Sequence, residues 1–223
     1  MNFNNIRNLL KQKKTKIVGT ISSVEGLEKF SKRKKLPCDI VEIRLDKIGT
    51  SIDWVGYGKK FQEKLPVILT IRLKEEGGEW EGTDKDRLKF FETAGGIINI
   101  IDIELSSNIT NKLCKINFIF LCSYHNFKIT PSFNTLLRIF SEAQEKGADI
   151  IKIATMINKP ADIKILSKFL ESVKNKMPVC VIGMGEKGRE SRTLLAKQGS
   201  AFTYAYLDKP VAPGQIACTT PLT

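Results

Sequence analysis

Eight short apolar, β-branched runs recur along the chain, each bounded by polar or turn-forming residues. They are Lys16–Ser22, Ile40–Asp46, Pro66–Arg72, Ile97–Leu105, Asn117–His125, Asp149–Thr155, Pro178–Met184 and Ala201–Leu207. Between them lie segments with apolar positions at helical spacing, such as Pro131–Gly147, where Gly147 supplies the C-terminal stop. Strand followed by helix, eight times over, predicts an α/β protein with the (β/α)8 TIM-barrel architecture. Near-continuous apolar strands suit a parallel sheet buried on both faces, and an open doubly wound sheet is the alternative. Two stretches fit the barrel poorly. Ser106–Ile116 leaves room only for a short fourth helix, and the nine residues after Gly214 predict a short or missing eighth one. The Asn4–Lys14 segment, a partner chain or another domain would then close that side.

A chain of 223 residues with 42% hydrophobic content suits one barrel, so residues 1–223 are expected to form a single domain. No stretch has the make-up of a signal peptide or a bilayer span, which predicts a soluble cytoplasmic protein without membrane partners. Five scattered cysteines with no C-x-x-C pair argue against a disulfide framework or a zinc knuckle and fit a reducing compartment. The net charge of +12 raises the question of nucleic acid. Its lysines, however, are spread as doublets without interleaved aromatics, so a solvated basic surface that attracts small anions is the reading adopted.

Charged residues interrupt the strands at regular intervals. Side chains two apart on a strand share a face, which groups Glu42, Arg44 and Asp46 on one run and Asp102 and Glu104 on another. If those faces point inward near the strand ends, they line the mouth where barrel active sites form. A buried ion-pair network that only holds the barrel is the competing account, above all for Asp46 and Asp102. Lys152 is the one cation inside Asp149–Ala154, where burial disfavours an ammonium and a neutral amine is a nucleophile. His125, the only histidine, ends the preceding strand, so the two would reach the same mouth. Gly183–Gly188 matches G-x-G-x-x-G, but only one strand follows it, too little for a dinucleotide half-domain. Those glycines are better read as shaping a loop that brings Arg192 to an anionic group.

Several blocks occur together in one order: Glu42–Asp46, Thr70–Arg72 with Glu76–Gly78, Asp102–Glu104, Ser123–His125, Ile151–Ala154, Met184–Arg192 and Ala212–Gln215. That ordered set resembles the type I 3-dehydroquinate dehydratases from about Lys16 to Gln215. The resemblance implies a lyase of the shikimate pathway, in aromatic amino-acid biosynthesis, that dehydrates 3-dehydroquinate to 3-dehydroshikimate. By it, Lys152 would form a Schiff base with the substrate ketone. His125 would move the proton, and Glu76 would orient His125. Arg192 would pair with the substrate carboxylate, and Thr20, Glu42, Arg44, Arg72 and Gln215 would hold the rest of the ring. No metal and no organic cofactor is implied, because the lysine supplies the electron sink.

The chain departs from the family pattern at Val211, often a serine, and at Thr20, where serine is also common. Some relatives carry a fused shikimate dehydrogenase after the barrel. A homodimer, and a shikimate dehydrogenase as fused or separate partner, are the associations left open. The rival functions are another lysine-imine barrel, such as an aldolase of the transaldolase type, and a basic nucleic-acid-binding protein. Lys74–Asp84 and Leu207–Gln215 are expected to act as lids.

Overall fold

A strand whose two faces are both covered must be apolar on both, and most of the eight apolar runs obey that rule only in their lower halves. In a computed structural model, which describes residues 3–12, 14–109, 112 and 117–219, every run forms a parallel strand. In chain order these are β1 (Lys16–Ile21), β2 (Ile40–Arg44), β3 (Val67–Thr70), β4 (Ile100–Glu104), β5 (Ile119–Asn126), β6 (Ile150–Met156), β7 (Val179–Met184) and β8 (Phe202–Tyr206). A two-residue strand, β9 (Ile216–Ala217), follows. The sheet curls in the order β7-β6-β5-β4-β3-β2-β1-β8-β9. β7 meets β8 not by a ladder but through the Ala201 N–H to Val179 O bond (2.8 Å) and the Val181 N–H to Ser200 Oγ bond (3.0 Å).

Helices cover the outside: α2 (Val24–Ser31), α4 (Trp54–Gln62), α5 (Asp84–Ala94), α6 (Phe133–Glu145), α7 (Pro160–Val173) and α8 (Arg189–Lys197). Their apolar faces meet the outward residues Val41, Ile43, Leu69, Ile101, Ile103, Ile151 and Ile153 in one core. Local signals set their ends. Ser132 caps α6 by accepting from Thr135 N–H, and Gly147 just after that helix takes a positive φ of 79°.

The inward residues tell a different story. At the N-terminal ends of the strands Val18, Ile40, Ile68, Ile100, Leu121, Ile150 and Phe202 fill the barrel floor. The helix α1 (Phe3–Lys11) closes it from below with Ile6, which is wholly buried in that cluster. The N-terminal segment, a candidate for covering the side left by the missing eighth helix, seals the bottom instead. Two residues further along five of the strands the inward side chain becomes polar: Glu42 after Ile40, Thr70 after Ile68, Asp102 after Ile100, Ser123 after Leu121 and Lys152 after Ile150, whereas β7 stays apolar through Cys180, Ile182 and Met184. Strand periodicity thus converts a sequence pattern into a vertical gradient, apolar floor to charged mouth.

One expectation is corrected. β2 ends at Arg44, and Asp46 sits in the short helical turn α3 (Leu45–Ile48), so the three charges of that run do not share a strand face. The reason is local, since the Asp46 carboxylate folds back onto the Arg44 guanidinium with two hydrogen bonds of 2.9 and 2.7 Å. As expected, no eighth helix follows β8 among the described residues; β9 pairs alongside it, Ala205 opposite Ile216. Most of the fourth-helix stretch after Ser106 lies outside the described residues.

Candidate active site

The polar layer forms a pocket at the C-terminal mouth, lined by Thr20, Glu42, Arg44, Arg72, Glu76, His125, Lys152, Arg192 and Gln215, together with Tyr204, Val211 and Ala212. All nine residues expected at the site therefore meet there. They come from different strands and loops, which is how a parallel barrel assembles chemistry from distant sequence.

Lys152 is buried on β6, with Nζ 3.1 Å from Asp102 Oδ2 and 4.4 Å from the centre of the Tyr204 ring. Asp102 also takes an ion pair from Arg72 at 2.7 Å and a hydrogen bond donated by Ser123 Oγ at 2.6 Å. Burial opposes the carboxylate charge, but Arg72 and Lys152 outweigh it and hold Asp102 well below the usual carboxylate range. Arg72 is shared further: it donates to Ser123 Oγ at 2.6 Å and pairs with Glu104 at 3.0 Å. Glu104 in turn holds the fully buried Arg87 of α5 at 2.6 Å and accepts from Leu73 N–H at 3.0 Å. The chain Arg87, Glu104, Arg72, Asp102, Lys152 alternates in sign, so each buried charge has a counter-charge. Removing one member of such a pair generally costs about 3–5 kcal/mol, which makes the spacing rigid.

His125 stands next to last on β5 with Nδ1 2.9 Å from Glu76 Oε2, and its ring stacks at 15° on Phe127. Glu76 arrives from the 3-10 turn Lys74–Glu76, and its other oxygen accepts from Ser106 Oγ at 2.9 Å. Burial, then the nearby cations Arg72 and Lys152, push the imidazole well below its ordinary value, so it stands neutral with Nδ1 tied to a carboxylate. Burial also raises the Glu76 carboxyl. A neutral imidazole oriented by a carboxylate and facing an amine has the parts for proton transfer beside a nucleophile.

The remaining groups define what the pocket holds. Glu42 accepts from the Thr20 and Thr70 hydroxyls, both at 2.8 Å. Gln215 Nε2 lies 3.5 Å from Thr20 Oγ1, and its Oε1 accepts from Val211 N–H at 2.8 Å. Arg192, on α8, makes no ion pair among the described residues. Its one hydrogen bond runs from Nη1 to the Tyr204 carbonyl at 3.2 Å, and burial lowers its pKa to about 10. A buried cation without a counter-ion calls for an anionic ligand. The glycine-rich loop delivers it: Gly185 turns at φ 81°, and a Cβ on Gly188 would lie 2.7 Å from the Gly183 carbonyl carbon.

Sequence reasoning missed Tyr204, Ser123 and Arg87 as parts of the site. Tyr204 shares the inward parity of Phe202 on β8, which is the one signal that could have found it. Arg87 stands in an otherwise charged helix and reads as solvated until the fold buries it.

The type I 3-dehydroquinase family model matches residues 7–220. The 3-dehydroquinate dehydratase of Methanocella arvoryzae is 37% identical over 201 residues, covering 88% of this chain and 90% of that one. The crystal structure of the 3-dehydroquinate dehydratase from Aquifex aeolicus matches with a TM-score of 0.76 and 33% identity, over 91% of this chain and 93% of that one. The S. pombe structure that contains dehydroquinate dehydratase and shikimate dehydrogenase shares the fold, with a TM-score of 0.75 at 24% identity; the match covers 95% of this chain and 44% of that one.

Proposed function

Since this chain belongs to the type I 3-dehydroquinase family and dehydrates 3-dehydroquinate, we propose that Lys152 carries that reaction as a covalent nucleophile and His125 as its proton carrier. Lys152 Nζ adds to the C3 ketone, and loss of water gives an iminium. His125 removes a proton from C2, and the electron pair moves into the iminium, which acts as the sink. The C1 hydroxyl then leaves as water, protonated by the same imidazole. Hydrolysis of the imine returns the free lysine and 3-dehydroshikimate. The lysine supplies the electron sink itself, so the scheme calls for no cofactor.

The observation that carries this reading is the buried Lys152 amine at the mouth beside a neutral imidazole held by Glu76 at 2.9 Å. Glu76 acts through His125, fixing which ring nitrogen faces the substrate. Arg192 takes the substrate carboxylate, while Thr20, Glu42, Arg44, Arg72 and Gln215 hold the hydroxyls and the ring. The scheme treats residues 1–223 as one catalytic domain. An aldolase reading shares the lysine but leaves His125 and Glu76 without work. The test is borohydride reduction in the presence of 3-dehydroquinate, followed by peptide mass spectrometry. One adduct is expected, on Lys152; a folded protein that gives none, or one on another lysine, would overturn the assignment.

Arg192 yields a second expectation. Arg192→Met removes a buried cation that the chain itself does not neutralise, so the melting temperature is expected to rise while KM increases by about 10- to 100-fold, the worth of a charge-assisted contact. A KM within twofold of the parent would remove Arg192 from carboxylate binding.

Among the described residues no helix is long and apolar enough to cross a membrane. Cytoplasmic function belongs to the same proposal, supported by free thiols at Cys38, Cys122, Cys180 and Cys218. So do a homodimer and association with a shikimate dehydrogenase, which the mass in solution and copurification would read.

A further inference from the structure

Outside the catalytic pocket, two cysteines 180 positions apart in sequence are brought side by side on the outer wall. Cys38 lies just before β2, where the neighbouring Asp39 N–H bonds to Ile17 O at 2.9 Å and so fixes the segment against β1. Cys218 follows β9, anchored by its own N–H to Tyr206 O at 2.9 Å. Between them Gly19 on β1 lies opposite Ala205 on β8, with the Leu207 side chain over the glycine. A Cβ at Gly19 would stand 2.9 Å from both Cys38 Sγ and Leu207 Cδ1, so the glycine leaves the space that the sulfur and the leucine share. The helix that would cover this face after β8 is replaced by β9, and across the gap the two side chains interact directly. Both are free thiols. The contact draws the Cys218 thiol down from its ordinary value and pushes the Cys38 thiol up, so Cys218 is the one of the pair that gives up its proton first.

We propose that Cys38 and Cys218 are a reversible disulfide site that fixes the segment carrying Val211 and Gln215 to the barrel wall. Gln215 and Cys218 flank β9, so a bond at Cys218 restrains the residues that reach into the mouth. The co-reactant is a low-molecular-weight disulfide of the glutathione class, RSSR. The thiolate of the pair attacks one sulfur of RSSR and expels RS⁻. The neighbouring thiol gives up its proton and attacks the mixed disulfide, expelling the second RS⁻. Two thiols become one disulfide, RSSR is reduced to two RSH, and the two protons released by the cysteines are those the two RS⁻ take up.

The test uses the full chain, reduced and then exposed to oxidised glutathione. Peptide mapping is expected to recover Cys38 joined to Cys218, with intact mass lower by about 2 Da and restored by dithiothreitol. Amides 211–217 are expected to exchange at least about tenfold more slowly in the oxidised protein. Cys38→Ser and Cys218→Ser should each keep a glutathione adduct on the remaining cysteine and show no slowing. Separate glutathione adducts on both cysteines of the parent, or a different pairing, would overturn the site. A Cys38–Cys218 bond with unchanged exchange at 211–217 would overturn the fixing of the segment. Neither result bears on the Lys152 imine, which borohydride trapping reads independently.

Discussion

Lys152→Met is expected to lower kcat by at least about four orders of magnitude, as loss of a covalent nucleophile does, and to abolish the borohydride adduct. Methionine matches the lysine stem in length and meets Ala154, Ile182 and Met184 in the same pocket. The fold is expected to survive because Asp102 is not stranded: it keeps Arg72 at 2.7 Å and Ser123 at 2.6 Å. Binding of the substrate carboxylate and hydroxyls should also persist, since Arg192 and Glu42 are untouched. The comparison to make is therefore single-turnover chemistry alongside ligand affinity measured by calorimetry. A variant that still turns over within tenfold of the parent would show that Lys152 is not the nucleophile, whatever its burial.

The second large effect concerns His125. His125→Ala should reduce turnover by about 10²- to 10⁴-fold, the range of a general acid/base contribution, while the borohydride adduct on Lys152 still forms. That separation of imine formation from turnover is what distinguishes a proton carrier from a residue that only shapes the pocket. The parent enzyme adds a pH signature. The imidazole works as a base only when neutral, and burial together with Arg72 and Lys152 depresses its proton affinity well below 6.5. Protonation, and with it inactivation, is therefore displaced to lower pH. kcat/KM is expected to stay level from pH 8 down through 6.5 and to fall only below that. An acid limb centred at or above 6.5 would contradict the environment described for His125.

Much of this was legible in the sequence because barrel strands carry two messages at once. Ile100, Asp102 and Glu104 occupy alternate positions, and so do Ile150 and Lys152; the parity that marks a buried strand also marks which charges point inward. Boundaries were less legible. The run Ile97–Leu105 shrinks to Ile100–Glu104, because apolar residues in the approach to a strand look like the strand itself. Asp46 was grouped with Glu42 and Arg44 by parity, yet the chain turns after Arg44, and parity has no meaning beyond the strand end. β9 has two residues and no period to detect. Arg87 shows a different limit: its sequence neighbours Lys85, Asp86 and Lys89 describe a wet helix face, and only the packing of α5 over β4 turns it inward to Glu104. The pairing of Cys38 with Cys218 depends on β1, β8 and β9 lying in that order, which no local pattern encodes.

The solitary Arg192 reaches beyond catalysis. On the proposed role of Arg192, the substrate carboxylate completes an ion pair of which the described residues hold only half, so occupancy of the mouth is expected to add to folding stability in proportion to the logarithm of ligand concentration. Flux through the pathway then bears on how long each molecule survives. When the metabolite is plentiful, filled molecules open less often and escape proteolysis; when it runs short, the same uncompensated cation hastens their removal.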